Sequence, residues 1–465
     1  MAEMNATIQK LQHRVEELEA RAGIGHPVEA PVTPPVFVPA VLLPPPNPPL
    51  PRASESNAPP KPLPASQPQP FEAANAPTPA PSDQPASGSA AGGLSIAGTT
   101  INFALDTYYG YNFNDPIGRV NRLRAYDILS NAFSLNQASI VIENAPDVEH
   151  GKRWGARVDL QFGQATETLQ GNAANELRPE VYRNIFQAYG TYVLPVGSGL
   201  TVDFGKWASS LGFENNYTQD QINYSRSYWF NFLPYYHMGA RLNYQLTKAV
   251  ALNYWVTNGT QQTEPFNDFK DQFFGLALQP KKSVSWNVNY YLGQEHPNVM
   301  FFSSSTDPAI PTEQGQPFLP IANAPKGKLH ILDSFASWQA GERLTFGIEA
   351  DYVVERLMTT SAPQIAWGGA GYSRYQLSPR WAIAGRAEYM ADRSGLFSGA
   401  SQALKETTLT IEQKLAPGFL MREEYRRDFS NQPYFYTDLL GLLKREQNTA
   451  TIGVVWWSGA KKEPW

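Results

Sequence analysis

Short segments with alternating apolar and polar residues recur from Thr99 to near the C-terminus, and they constrain the fold more than any other feature. The clearest has apolar residues at every second position: Trp154, Ala156, Val158, Leu160 and Phe162. A period of two is typical of a β-strand with one apolar face. We count about sixteen such segments; the weakest are 131–143, 273–279 and 329–339. The pattern predicts an all-β fold.

The connections between these segments alternate between short and long. Short turns are predicted at 195–199, 247–248, 280–282, 340–342, 378–379 and 416–418. Long loops are predicted at 112–130, 165–182, 210–236, 259–271, 294–327, 356–363, 391–403 and 430–446. A membrane barrel has tight turns at one rim and long loops at the other, whereas a sandwich or propeller has no reason to alternate them. We therefore predict a closed antiparallel up-and-down transmembrane β-barrel of about sixteen strands over residues 99–465.

Charged residues in the best segments share the face opposite the apolar residues. In lipid every backbone polar group must be paired, so the sheet must close, and Arg or Lys facing the bilayer centre costs about 2–4 kcal/mol. The charged face should therefore enclose water. The predicted pore-lining residues are Arg153, Arg157, Asp159, Asp203, Arg241, Glu349, Asp351, Arg386, Glu388, Arg422 and Glu424. Their near balance of sign predicts a weakly selective channel.

The segment 210–236 is a connection of roughly 27 residues without a helical period, and loops of that length are usually functional. It contains the charged and aromatic residues Glu214, Asp220, Arg226, Tyr228 and Trp229. We predict that it folds into the lumen as a constriction loop and sets the preference of the pore locally. Aromatic residues near strand ends, including Trp154, Trp207 and Trp381, are expected at the two membrane interfaces.

Composition excludes several classes of protein. Mean hydropathy is −0.38 and no apolar run approaches the length of a membrane-spanning helix. The net charge of −5 gives no basic surface for nucleic acid. The absence of cysteine removes disulfide and thiolate chemistry, and fits passage through an oxidising periplasm.

Two different segments precede the strands. Residues 1–23 are predicted to form a coiled-coil helix, because apolar residues occupy its a and d positions: Met1, Met4, Ile8, Leu11, Val15, Leu18 and Ala22. A lone amphipathic helix is the alternative. Residues 24–98 are rich in Pro and Ala and are predicted to be a disordered, extended linker, with a proline-recognition site as the alternative. Residues 1–23 do not resemble a secretory signal, and we expect that signal upstream of Met1.

Chemistry-bearing motifs are few. The six histidines have no metal-ligand spacing, and no phosphate-binding loop or nucleophile elbow is present. Glu349 and Asp351 could form an acid–base pair, but at a spacing of two they fit a charged ring on one lumen face better. Arg422, Glu424 and Arg426 fit a salt-bridged wall or a selectivity element equally well. We expect no enzyme activity, no cofactor and no metal.

Ordered clusters of residues resemble the OmpL-like β-barrel porins. They are DFGKW at 203–207, LGFE at 211–214, YSRS at 224–227, PYYHMGAR at 234–241 and VTNG at 256–259. The resemblance covers residues 105 to the C-terminus. It implies a Gram-negative outer-membrane porin for small solutes, and it transfers no substrate residue.

The expected partners are outer-membrane lipid and small hydrophilic solutes, without nucleic acid. A homo-oligomer is expected through the barrel wall and the coiled coil: the heptads favour a dimer, and the resemblance implies a trimer. The N-terminal region is expected in the periplasm, with possible cell-wall contact. The alternative function is a non-enzymatic, soluble or surface-displayed all-β binding module, such as a lectin-like sandwich, tethered by the Pro-rich stalk.

Overall fold

The computed structural model describes residues 94–170, 176, 178–301 and 317–459. The predicted coiled coil (1–23) and nearly all of the predicted linker (24–98) lie outside the described residues and stay predictions. The last linker residues differ from expectation, because Leu94–Ile96 forms a short strand that pairs with Thr99–Ile101. Ala97 and Gly98 make the turn between them with positive φ values of 49° and 78°.

Sixteen strands form the barrel, and we label them in chain order. They are β1 (Thr99–Asn112), β2 (Ala132–Asn144), β3 (Trp154–Phe162), β4 (Ile185–Leu194), β5 (Leu200–Ala208), β6 (Tyr236–Thr247), β7 (Val250–Thr257), β8 (Asp271–Lys281), β9 (Val284–Gly293), β10 (Leu329–Gln339), β11 (Leu344–Glu355), β12 (Gln364–Ser378), β13 (Trp381–Asp392), β14 (Gln402–Ala416), β15 (Phe419–Ser430) and β16 (Glu446–Ser458). Short hairpin strands at Val299–Phe301, Pro317–Pro320, Phe435–Tyr436 and Leu443–Lys444 lie in the loops.

Each strand pairs antiparallel with the next along the chain, and β16 pairs with β1 to close the sheet. The prediction of a closed antiparallel barrel of sixteen strands is confirmed. The three weakest segments form β2, β8 and β10. The sandwich alternative is wrong, since a single sheet closes on itself instead of two sheets stacking.

Short and long connections alternate as the sequence predicts. Two-residue turns at 248–249, 282–283, 379–380 and 417–418 occupy one rim, and the long loops occupy the other. Gly418 has a φ of 72°, the conformation that a tight turn requires and that glycine adopts without strain. Three short helices lie in the long loops: α1 (Ala165–Gln170), α2 (Pro179–Tyr182) and α3 (Tyr228–Phe232). Within the described ranges, the helices are too short or too polar to cross a bilayer.

The strand β11 shows how the two faces divide. Its apolar Phe346, Ile348 and Tyr352 are 38%, 61% and 46% exposed on the outer face. Glu349 and Asp351 are buried on the inner face. The apolar face therefore forms the outside of the barrel and the charged face points inward, as period-two alternation requires.

One aromatic residue departs from its predicted place at the membrane interface. Trp207 is fully buried and packs edge-on against Trp255, with 5.9 Å between ring centroids. The expectation for Trp207 is wrong, because position near a strand end does not determine which face a side chain occupies. Trp154 and Trp381 are exposed on the outer surface.

Candidate functional site

The connection between β5 and β6, residues 209–235, crosses the barrel interior, and we call it the inner loop. Its Phe213 N–H donates to Glu349 on β11 at 3.0 Å, and its Tyr224 N–H donates to Glu424 on β15 at 2.7 Å. Neither strand neighbours β5 or β6 in the sheet. A loop that starts at one wall and bonds to strands this far around the barrel must pass through the lumen.

Helix α3 gives the inner loop a rigid centre. The Ser227 side chain caps it by accepting a hydrogen bond from the Phe230 N–H at 3.0 Å. The next free amide, that of Tyr228, donates to both carboxylate oxygens of Glu388 on β13, at 3.0 and 2.9 Å. The barrel wall thus supplies the negative charge that a helix N-terminus favours.

Arg386 on β13 ties the loop to the wall most directly. Its Nη1 donates to the Glu214 carboxylate at 2.9 Å and to the Ser225 carbonyl at 2.7 Å, while its Nε donates to Glu406 on β14 at 3.0 Å. The side chains of Arg386 and Glu406 are fully buried. Such a planar, multiply bonded guanidinium fixes loop geometry as well as charge.

Arg422 on β15 makes a second anchor of the same kind. Its Nη1 donates to the carbonyls of Thr218 and Asn223 at 2.6 and 3.2 Å. Its Nε donates to Glu412 at 3.0 Å, and Arg374 donates to the same carboxylate at 2.6 Å. Two arginines therefore share one acid, and the remaining donors hold the loop.

Tyr224 lies where the two ends of the sheet meet. Its hydroxyl donates to Asp106 on β1 at 2.8 Å, and its ring lies against the backbone of Gly453 on β16, where a Cβ would be 2.2 Å from it. Its amide is held by Glu424 on β15. One loop residue thus contacts three neighbouring strands.

The predicted pore-lining residues lie on inward positions, but the structure places most of them against protein instead of open lumen. Nine are at most 6% exposed and lie against the inner loop or against other side chains of the wall: Arg157, Asp159, Asp203, Glu349, Asp351, Arg386, Glu388, Arg422 and Glu424. Arg153 and Arg241 keep partial exposure. Alternation shows the direction of a side chain but not what fills the space in front of it.

The predicted constriction residues all lie in the inner loop and are buried. Arg226 stabilises the loop itself, since its Nε donates to the Asn215 carbonyl at 3.0 Å and its guanidinium lies 4.7 Å from the Tyr126 ring centroid. Trp229 packs edge-on against Phe397 at 6.3 Å. Glu214 and Tyr228 therefore hold the loop against the wall, Trp229 packs against the β13–β14 loop, and Asp220 is buried with them.

A second loop, which no sequence pattern predicted, also enters the site. Arg124, in the β1–β2 connection, is bonded to Asp428 on β15 and to Asp127, each at 2.9 Å. No local signal marks this loop as inward. Glu406 and Glu412 were also missed, although their period-two spacing on β14 could have identified them.

Burial raises the pKa of the Asp127 carboxyl to about 6, while Arg124 and Arg426 act to lower it and Glu424 acts to raise it. Its Oδ1 is buried without a hydrogen-bond partner among the described residues, which explains why burial dominates. Because the folded state binds this proton more tightly than the unfolded state, stability should fall as pH rises from about 4 to about 6.

We expect the difference in thermal midpoint, wild type minus Asp127→Asn, to decrease over that pH range, since only the wild type must ionise a buried carboxyl. Thermal scans from pH 4 to 7 would measure it. Asp115→Asn, an exposed acid in the same loop, is the matched control and should show a flat difference. A difference that grows with pH would contradict the assignment.

Part of the inner wall keeps contact with solvent. On β4, β6 and β7, the inward Thr191, Arg241 and Asn253 are partly exposed. Arg241 Nε donates to Asp203 at 2.6 Å, and its guanidinium lies 5.1 Å from the Tyr189 ring centroid. This wall combines charge of both signs with solvent contact.

A family model and several solved structures match this chain. A model of the family described as beta-barrel porin-2, OmpL-like, matches residues 98–456. The chain is similar to the outer membrane channel DcaP of Acinetobacter baumannii, at TM-score 0.49 and 9% identity over 78% of this chain and 99% of that one. It is also similar to an anion-selective porin from Comamonas acidovorans, at 0.48 and 8% over 77% and 99%. For OmpT of Vibrio cholerae the values are 0.47 and 9% over 79% and 100%. No curated protein sequence matches.

Proposed function

Because the chain belongs to the OmpL-like family of β-barrel porins, we propose that it is an outer-membrane porin of a Gram-negative cell. It passes small hydrophilic solutes or ions by passive diffusion and is a channel, not an enzyme. The observation that carries this proposal is the inner loop, a long segment held across a polar lumen by a buried ion pair with Arg386 and by hydrogen bonds from Arg422.

The route of permeation follows the wall of β4 to β7. That wall retains partly exposed polar side chains, whereas on β11, β14 and β15 the inward charges are buried against the inner loop or each other. Arg241 is partly exposed on this wall and is paired with the buried Asp203, so opposite charges balance there. A balanced wall gives weak ion selectivity, because selectivity arises from a ring of one sign or from a charged constriction.

Reconstitution into planar bilayers tests the proposal. We expect stepwise conductance increases and a small reversal potential in a salt gradient. The same protein should fractionate with the outer membrane and migrate differently on gels before and after boiling. Folded, heat-modifiable protein that produces no conductance steps would overturn the proposal.

The charge balance gives a sharper test. Arg241→Gln should shift the reversal potential toward cation selectivity, because it removes the partly exposed cation beside the route and leaves Asp203 without its ion-pair partner. Arg380→Gln, in the exposed β12–β13 turn, is the matched control and should leave the potential unchanged. An equal shift in both variants would place the selectivity elsewhere.

We also propose a homo-oligomer that contacts its copies through the apolar barrel wall, with the N-terminal region in the periplasm. The heptad pattern of residues 1–23 and the exposed apolar face of the strands support this. Crosslinking of detergent-extracted protein distinguishes a dimer from a trimer.

A further inference from the structure

Three inward carboxylates meet where the inner loop begins. Asp333 on β10 lies directly opposite Asp351 on β11, and Glu349 lies two residues away on the same face. One oxygen from each carboxylate lies within 4.8 Å of the other two. The residues are 0%, 5% and 2% exposed, respectively.

The charge of this cluster is not balanced by protein cations. Several other inward acids are paired with arginine, such as Asp203 with Arg241 and Glu412 with Arg374. Among the described residues, no ion pair includes any of the three clustered acids. Buried charge without a partner is strongly unfavourable, and like charges this close repel.

A second observation is that several oxygens of the cluster have no hydrogen-bond donor. Both carboxylate oxygens of Asp351 and one of Asp333 are buried without a hydrogen-bond partner in the described structure. Nearby donors are already committed: Asn289 bonds the other Asp333 oxygen at 2.7 Å, while Phe213 N–H and Tyr372 bond the two Glu349 oxygens at 3.0 Å. Three buried carboxylate oxygens in one place therefore have neither a hydrogen-bond donor nor a cation beside them among the described residues.

We propose that Asp333, Glu349 and Asp351 bind one Ca²⁺ ion. Carboxylate oxygens are ligands for hard cations, whereas transition metals favour sites with imidazole or thiolate. Ca²⁺ accepts irregular cages made by protein oxygens, but Mg²⁺ keeps several waters and demands octahedral geometry. A buried site with three carboxylates on two adjacent strands suits the larger ion.

The ion holds the N-terminal part of the inner loop, residues 210–213, in place. Glu349 accepts the Phe213 amide, and Gly212 lies so close that a Cβ there would be 3.1 Å from Glu349 Oε1. Asn289 joins Asp333 to the Ser210 carbonyl, at 2.7 and 3.3 Å. Neutralising the carboxylates thus holds the loop and two barrel strands together, a structural role separate from permeation.

Metal analysis and calorimetry on chelator-treated, folded protein in detergent test the site. We expect about one Ca²⁺ per chain, with Mg²⁺ binding more weakly. Asp351→Asn should weaken Ca²⁺ binding at least about tenfold by removing a charged ligand. Asp271→Asn, an equally buried acid at the start of β8 and outside the cluster, should bind as the wild type does.

Thermal midpoints give an independent readout, because the effect of one substitution should have opposite signs in Ca²⁺ and in chelator. With a Ca²⁺ site, Asp351→Asn should lower the midpoint in Ca²⁺ and raise it in chelator, where it only relieves repulsion. A midpoint raised equally in both buffers, or no Ca²⁺ binding by folded wild type, would overturn the proposal. Glu349→Gln, which keeps its neutral hydrogen bonds, serves if Asp351→Asn does not fold. These measurements do not involve conductance, so their failure leaves the porin proposal standing.

Discussion

Deletion of residues 219–232 should raise single-channel conductance several-fold. The segment contains α3 and the backbone carbonyls that accept hydrogen bonds from Arg386 and Arg422. It fills the lumen in front of β13 to β15. Its removal opens that space to water. The barrel should persist because every strand is paired to its neighbours by backbone hydrogen bonds that do not involve the loop.

Planar bilayer recording of the deletion variant and the wild type measures the effect. A deletion of 439–441 provides a control, because this exposed tip lies in the β15–β16 loop. It should leave conductance unchanged. Unaltered conductance after removal of 219–232 would show that the inner loop does not restrict the route.

Arg386→Met should destabilise the folded barrel by about 3–5 kcal/mol, the usual effect of removing one partner from a buried ion pair. Glu214 and Glu406 would be left buried without this cation, and the Ser225 carbonyl would lose its donor. Equilibrium urea unfolding in detergent measures the change. Open-channel noise should rise in the same variant, because the loop loses an anchor.

Arg427→Met is the control for this substitution. Arg427 pairs with Glu446 on the outer surface, where the two side chains are 54% and 42% exposed. Exposed pairs contribute little, so its loss should barely change unfolding. Arg386→Lys should recover part of the stability, since it keeps the charge but loses the guanidinium fork. Equal effects at positions 386 and 427 would contradict the anchoring role.

Local periodicity was sufficient to predict the strands and their faces. The segment 329–339 was among the weakest patterns, yet it forms β10 with those bounds. Backbone pairing depends on alternation and turn position, both of which are visible in the sequence. The long segment 210–236 was also recognisable, because no helical or strand period explains it.

The contacts inside the barrel were not predictable in the same way. Glu349 and Asp351 were expected to form a charged ring, but their third neighbour, Asp333, joins them through the register of the next strand. Arg124 reaches Asp428 from a loop about 300 residues away along the chain. Such partners are selected by the three-dimensional path of the loops, which local spacing does not encode.

The position of Tyr224 has a consequence for closure of the barrel. It contacts β1 from the beginning of the sheet and β15 and β16 from its end, so a residue from the middle of the chain sits at the seam. The docked loop therefore bridges the first and last strands from inside the barrel, and its contacts add to the backbone hydrogen bonds that keep the sheet closed.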